Sequence, residues 1–140
     1  MTTSRHPWID LSEFPLIKEV VPDQFTDEDV YAFFKAIEVL ILEQHAPYAV
    51  VMGAASHTAV FSIAHRRAAA ELEEKIAPVE KVYNAGTGYV TRSSIQRGIL
   101  TAVFWLRPPA YPYRVFDDMN EAEEWARTQL ARVARAAKSA

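Results

Sequence analysis

Tyr113-Arg114-Val115-Phe116-Asp117-Asp118-Met119-Asn120-Glu121-Ala122-Glu123-Glu124-Trp125-Ala126 reads as a short apolar strand, an acidic turn and a helix that opens with capping chemistry. A strand feeding directly into a capped amphipathic helix is the repeating unit of an α/β layer protein. Ala122, Trp125, Ala126, Leu130 and Val133 form the apolar stripe of the helix, and Asp118 with Glu121 resembles a capping box with Asp in place of Ser or Thr. Arg127, Arg132, Arg135 and Lys138 fall toward the negative end of the helix dipole. The same dipole, with an i, i+4 pair of Glu123 and Arg127, accounts for the acidic cluster without catalytic carboxylates.

Three similar passages precede this one. Pro15-Leu16-Ile17-Lys18-Glu19-Val20-Val21 is a β-branched run closed by Pro22, with Trp8 to Leu11 as a preceding edge strand or arm. Thr26 then caps a helix that runs to about Gln44. Phe25 is placed to staple onto Val30, and Val30, Phe33, Phe34, Ile37, Leu40 and Ile41 make its buried face. Tyr48 to Met52 is a continuous apolar run before Gly53, as expected of a central strand covered on both faces. Ser56 or Thr58 is expected to cap a second helix that Pro78 stops. Val79 to Val90 reads as a strand whose Gly86 and Gly88 mark a close approach by another side chain or backbone. For residues 95–106 helix is preferred over strand, with Ser93 or Ser94 as its cap and Ile95, Ile99, Val103 and Leu106 on one face.

The order strand, helix, four times over, with no internal repeat, predicts one α/β domain over residues 1–140, with an N-terminal arm at 1–7 and a frayed tail at 134–140. Cysteine is absent, which excludes a disulfide framework, a thiolate zinc site and a thiol nucleophile. No secretory leader or bilayer-length apolar run is present, so a cytoplasmic location without membrane insertion is expected. Fifteen Lys plus Arg against 18 Asp plus Glu give a net charge of −3, and the arginines at 66, 67, 92, 97 and 107 are scattered, so no nucleic-acid partner is expected.

Chemical motifs are sparse. His57 and His65 stand eight apart, beyond the i, i+4 spacing of shared metal ligation, and no metal or other cofactor is expected. Asn84 to Gly88 lacks both the register and the Lys-Ser/Thr ending of a phosphate loop. Ser56 beside His57 has no nucleophile elbow and no third triad member, so catalysis is not expected, a small hydrolase on residues 56–58 being the least favoured reading. Adjacent Phe104 and Trp105 cannot both point into one core, which makes Trp105, with Phe104 beside it, the interface candidate.

This order, with Phe25-Thr26-Asp27-Glu28 opening the first helix, Arg97-Gly98 before Leu100 to Leu106, and Val115-Phe116-Asp117 before Glu121-Ala122 and Trp125, resembles the SpoIIAA-like (STAS/SEC14-type) small bacterial domains. The resemblance implies a mixed sheet of four or five strands, about four helices mainly on one face, and a non-catalytic role. That role is regulation by contact with a protein partner or a second copy, or alternatively binding of a lipid or other small apolar ligand between residues such as Phe34, Phe61 and Phe104. In anti-sigma antagonists of this fold a regulatory serine opens the helix after a central strand. Ser56 stands in that place within Gly53-Ala54-Ala55-Ser56-His57-Thr58, without the Asp before it or the Gly after it. Ser56, His57, Thr58 and Arg92 are thus the regulatory or ligand-binding candidates.

Overall fold

The computed structural model describes residues 5–54 and 61–139. Strand β1 (Ile9–Asp10) pairs antiparallel with β2 (Leu16–Val21). Helix α1 (Asp27–Leu42) then leads to β3 (Tyr48–Ala54), α2 (Ile63–Tyr83) to β4 (Asn84–Val90), α3 (Ser94–Leu106) to β5 (Tyr113–Phe116), and α4 (Met119–Ser139) closes the chain. The five strands lie in sequence order, with β2 through β5 parallel. Because each crossover steps in the same direction and parallel crossovers are right-handed, α1, α2 and α3 fall on one face. Helix α4 packs on the opposite face, where Ala122 and Ala126 meet Leu16, Ala49 and Val51.

The alternation of β2 sorts the two cores. Ile17 and Val21 pack with Val30, Phe33, Phe34, Ile37, Leu40 and Ile41 of α1 and with Tyr48, Val50, Leu72 and Ile76. Leu16 points the other way, to Ala49, Val51, Phe116, Ala122 and Ala126 beneath α4. Lys18 shares that parity and meets Glu123 of α4 at 2.9 Å. On β4, Gly86 and Gly88 admit α4: a Cβ on Gly86 would stand 3.0 Å from the Trp125 ring, and one on Gly88 3.2 Å from Ala122. The close approach expected of these glycines is therefore the seat of the last helix.

Local chemistry sets the helix starts. Thr26 accepts from the Asp29 amide at 3.1 Å while Asp29 accepts from the Thr26 amide at 2.9 Å, a reciprocal box. Asp118 accepts from the Asn120 amide at 2.7 Å at the entrance of α4.

Helix α2 departs from its expected bounds at both ends. Its cap is Ser62, neither Ser56 nor Thr58, and Ser62 accepts from the His65 amide at 3.1 Å. His65 Nδ1 accepts in return from the Ser62 amide at 3.2 Å, which leaves its Nε2–H to donate to Asp27 at 2.7 Å. Pro78 does not stop the helix but lies within it, so residues 79–83, expected as strand, are helical. Proline there withholds one hydrogen bond from the Glu74 carbonyl, at about 3 kcal/mol. Leu72 and Ile76, buried, and Val79 and Tyr83, half-buried, line one side of the core at helical spacing, and each gives up to about 1.5–3 kcal/mol on burial, which outweighs the proline.

Candidate functional site

The parallel strands β2 to β5 all end at one edge of the sheet, where ligands collect in open α/β folds. There β4 gives way to Thr91, Arg92 and Ser93, and β5 to Asp117. Ser93 caps α3 by accepting from the Gln96 amide at 3.2 Å, and the Thr91 hydroxyl donates to Gln96 Oε1 at 3.0 Å, which fixes the turn. The turn borders an open cleft of about 330 Å³ lined by Arg92, Ser94, Arg97 and Asp117. Arg97 donates to the Thr91 carbonyl at 3.3 Å and lies 3.9 Å from Asp117. Two guanidinium groups against one carboxylate, at the positive end of a helix dipole, make the cleft complementary to a small anion.

Of the expected site residues, Arg92 lines this cleft, whereas Ser56, His57 and Thr58 lie outside the described residues. Arg97, Ser94 and Asp117 were not anticipated there. Arg97 counted among scattered arginines and Asp117 as helix-start electrostatics, and only the adjacency of β4 and β5 unites them. Among the described residues no group of three His, Cys, Asp or Glu could hold a metal ion.

Helix α3 carries the second arrangement. None of its residues is buried. Phe104 reaches inward, its ring 5.0 Å from that of Tyr89 and 4.6 Å from that of Tyr113, while Trp105 turns outward and is 87 % exposed. Ile95, Ile99, Val103 and Leu106 are all exposed as well. The three rings expected to line one apolar pocket are divided: Phe34 and Phe61 touch at 5.8 Å beside α1, and Phe104 belongs to the Tyr89 and Tyr113 group under α3.

A third arrangement is interior. Glu19 shares the parity of Ile17 and Val21 and therefore enters the core beneath α2, where it is 2 % exposed and, among the described residues, its Oε1 has no hydrogen-bond partner. The Tyr48 hydroxyl, equally enclosed, also lacks one. Glu80 of α2, buried, accepts from Asn84 Nδ2 at 2.7 Å, and the same nitrogen donates to the Thr87 hydroxyl at 2.9 Å. Burial first, then neighbouring carboxylates, push the Glu19 and Glu80 carboxyls up to about 8. Sequence reading missed both residues, although the alternation of β2 marked Glu19 as inward-facing.

No protein-family model matches the chain, and no curated protein matches it. Among solved structures the chain is similar to an uncharacterized protein of the DUF3478 family with a SpoIIAA-like fold from Shewanella loihica PV-4. The two share 16 % sequence identity over 90 % of this chain and 98 % of that one, with a TM-score of 0.51. The fold is SpoIIAA-like, with a mixed five-stranded sheet and four helices among the described residues. Among the described residues no helix is long and apolar enough to cross a membrane.

Proposed function

We propose that this SpoIIAA-like chain is a non-catalytic interaction module that pairs with a second copy through α3. The observation that carries the reading is a 13-residue amphipathic helix with none of its residues buried. The apolar stripe is self-complementary: antiparallel pairing about Thr101 sets Ile99 against Val103 and brings Ile95 to within one position of Leu106 across two copies, the reciprocity that a two-fold contact requires. Gly98 faces open space within 4 Å, which leaves room for a close helix approach. The cleft supplies the regulatory part. A phosphate on Ser56 or Thr58, two and four residues beyond the end of β3, would find Arg92 and Arg97 at the neighbouring strand end.

A second reading, binding of a small apolar molecule, is favoured by the Tyr89, Phe104 and Tyr113 rings under α3. Native mass spectrometry of protein purified from its own cell separates the two. A dimer that Ile99→Glu converts to monomer without loss of helical circular dichroism supports pairing, and a monomer with added ligand mass supports the carrier. Added phosphate mass mapped to 56–58 supports the switch. Monomer at high concentration with no added mass overturns all three.

A further inference from the structure

We infer that Glu19, Glu73 and Glu80 form a proton-operated latch between α2 and the sheet: protonated, they let the helix seat, and loss of their protons releases it. This goes beyond the pairing of α3 and does not depend on it. Several elements meet at the cluster. Strand β2 supplies Glu19, β3 supplies Tyr48, β4 supplies Thr87 and Tyr89 with Asn84 at its start, α2 supplies Glu73 and Glu80, and Tyr111 comes from the connector before β5. Tyr89 and Tyr111 hydrogen-bond through their hydroxyls, and burial raises both, as it does Tyr48, so all three stay neutral.

Glu19 and Glu80 are enclosed, while Glu73, two turns before Glu80 on the same helix face, is exposed, and its charge raises both of them. The cluster thus runs from two enclosed carboxyls to one at the solvent edge of α2.

Among the described residues no cation balances the cluster: the charges that act on Glu19, Glu80 and Tyr48 are other carboxylates. The nearby basic groups are engaged elsewhere or face solvent. Lys75 pairs with Glu38 of α1 at 3.4 Å, where Lys35 also binds, Arg107 approaches Glu74 at 4.0 Å, and Lys81 is exposed. An ionised Glu19 with an unpartnered oxygen, close to two further carboxylates, has no compensation in place, whereas the neutral acid avoids most of that penalty. Relief requires water, and water enters where α2 lifts, because α2 packs chiefly along α1 and only lightly on β4. Burial lifts the Glu19 and Glu80 carboxyls from 4.5 to about 8, so the latch is set to open between neutral and mildly alkaline pH.

Hydrogen exchange of the full chain, corrected for intrinsic rates, tests the latch. Between pH 6.5 and 8, protection of the α2 amides from Leu72 to Tyr83 should fall by up to about tenfold per pH unit for each carboxyl that loses its proton, while α4 amides change less. The double variant Glu19→Gln with Glu80→Gln mimics the protonated pair and should flatten the α2 profile. An α2 profile no steeper than that of α4, or an unchanged slope in the double variant, overturns the latch. A carbon-13 carboxyl titration of the unmutated protein gives an answer independent of variant folding. Midpoints near 8 for Glu19 and Glu80 support it, and midpoints in the ordinary carboxylate range overturn it.

Discussion

Three glycines show how a single residue type takes opposite meanings in this chain. Gly86 and Gly88 are points where α4 comes down on the sheet, and nothing in their backbone conformation demands glycine, since no glycine has a positive φ. A Cβ on Gly86 would meet both the Trp125 ring and Gln129 at 3.0 Å, so one of them must move. Gly98, inside α3, has nothing within 4 Å of the same atom. Gly86→Ala should therefore destabilise by about 1–3 kcal/mol through overpacking. Gly98→Ala should stabilise by about 0.5–1 kcal/mol through helix propensity and a less flexible unfolded chain. Urea unfolding of the two variants decides it, and equal signs would contradict the seating of α4 on Gly86. The glycines of β4 were legible in sequence as a close approach, but what approached them was not, because Trp125 lies 39 positions away in the chain.

At the scale of the element, α1 and α4 were written plainly in the sequence and α2 was not. Thr26 with Asp29, and Val30, Phe33, Phe34, Ile37, Leu40 and Ile41, are local signals that tertiary packing reinforces. In α2 the local signals disagree with the packing. Ser56 and Thr58 resemble caps but Ser62 is the one used, and Pro78 resembles a stop but the face carrying Ile76, Val79 and Tyr83 holds the helix through it. The misreading of 79–83 as strand also concealed Glu80, since a strand reading gave it no reason to lie beside Glu73 and Asn84. Pro78→Ala restores a donor to the Glu74 carbonyl and should raise stability by about 1–3 kcal/mol, the greater part of the interior proline penalty. A lowered thermal midpoint for that variant would mean that the helix depends on the proline geometry at this point.

For the whole molecule, the charged groups divide into two populations that pull the pH dependence in opposite directions. Glu13 and Glu38 are held below the ordinary carboxylate range by Lys18 and Arg127 and by Lys35 and Lys75, and the Ser12 hydrogen bonds hold Asp10 low. The stability these groups give is present above their unfolded values and fades as acid protonates them. Glu19 and Glu80 behave in reverse: their folded values lie near 8 against 4.5 for an unburied carboxyl, so the native state keeps protons that the unfolded chain has already released. Their contribution is complete below 4.5 and drains away as pH rises to about 8, above which it no longer changes. The exposed acids gain little from partners in water, while the interior pair dominates because its desolvation is nearly total. The composition, at −3 net charge, gave no hint of this, since the sign of each contribution depends on which face of β2 and α2 a carboxyl occupies. Stability from urea unfolding should accordingly be greatest in mildly acidic solution and fall by a few kcal/mol between about pH 5 and pH 8. In Glu19→Gln the decline should shrink and stability at pH 8 should exceed that of the unmutated chain. A profile that rises from pH 5 to pH 8 would mean that both interior carboxyls are ionised in the native state.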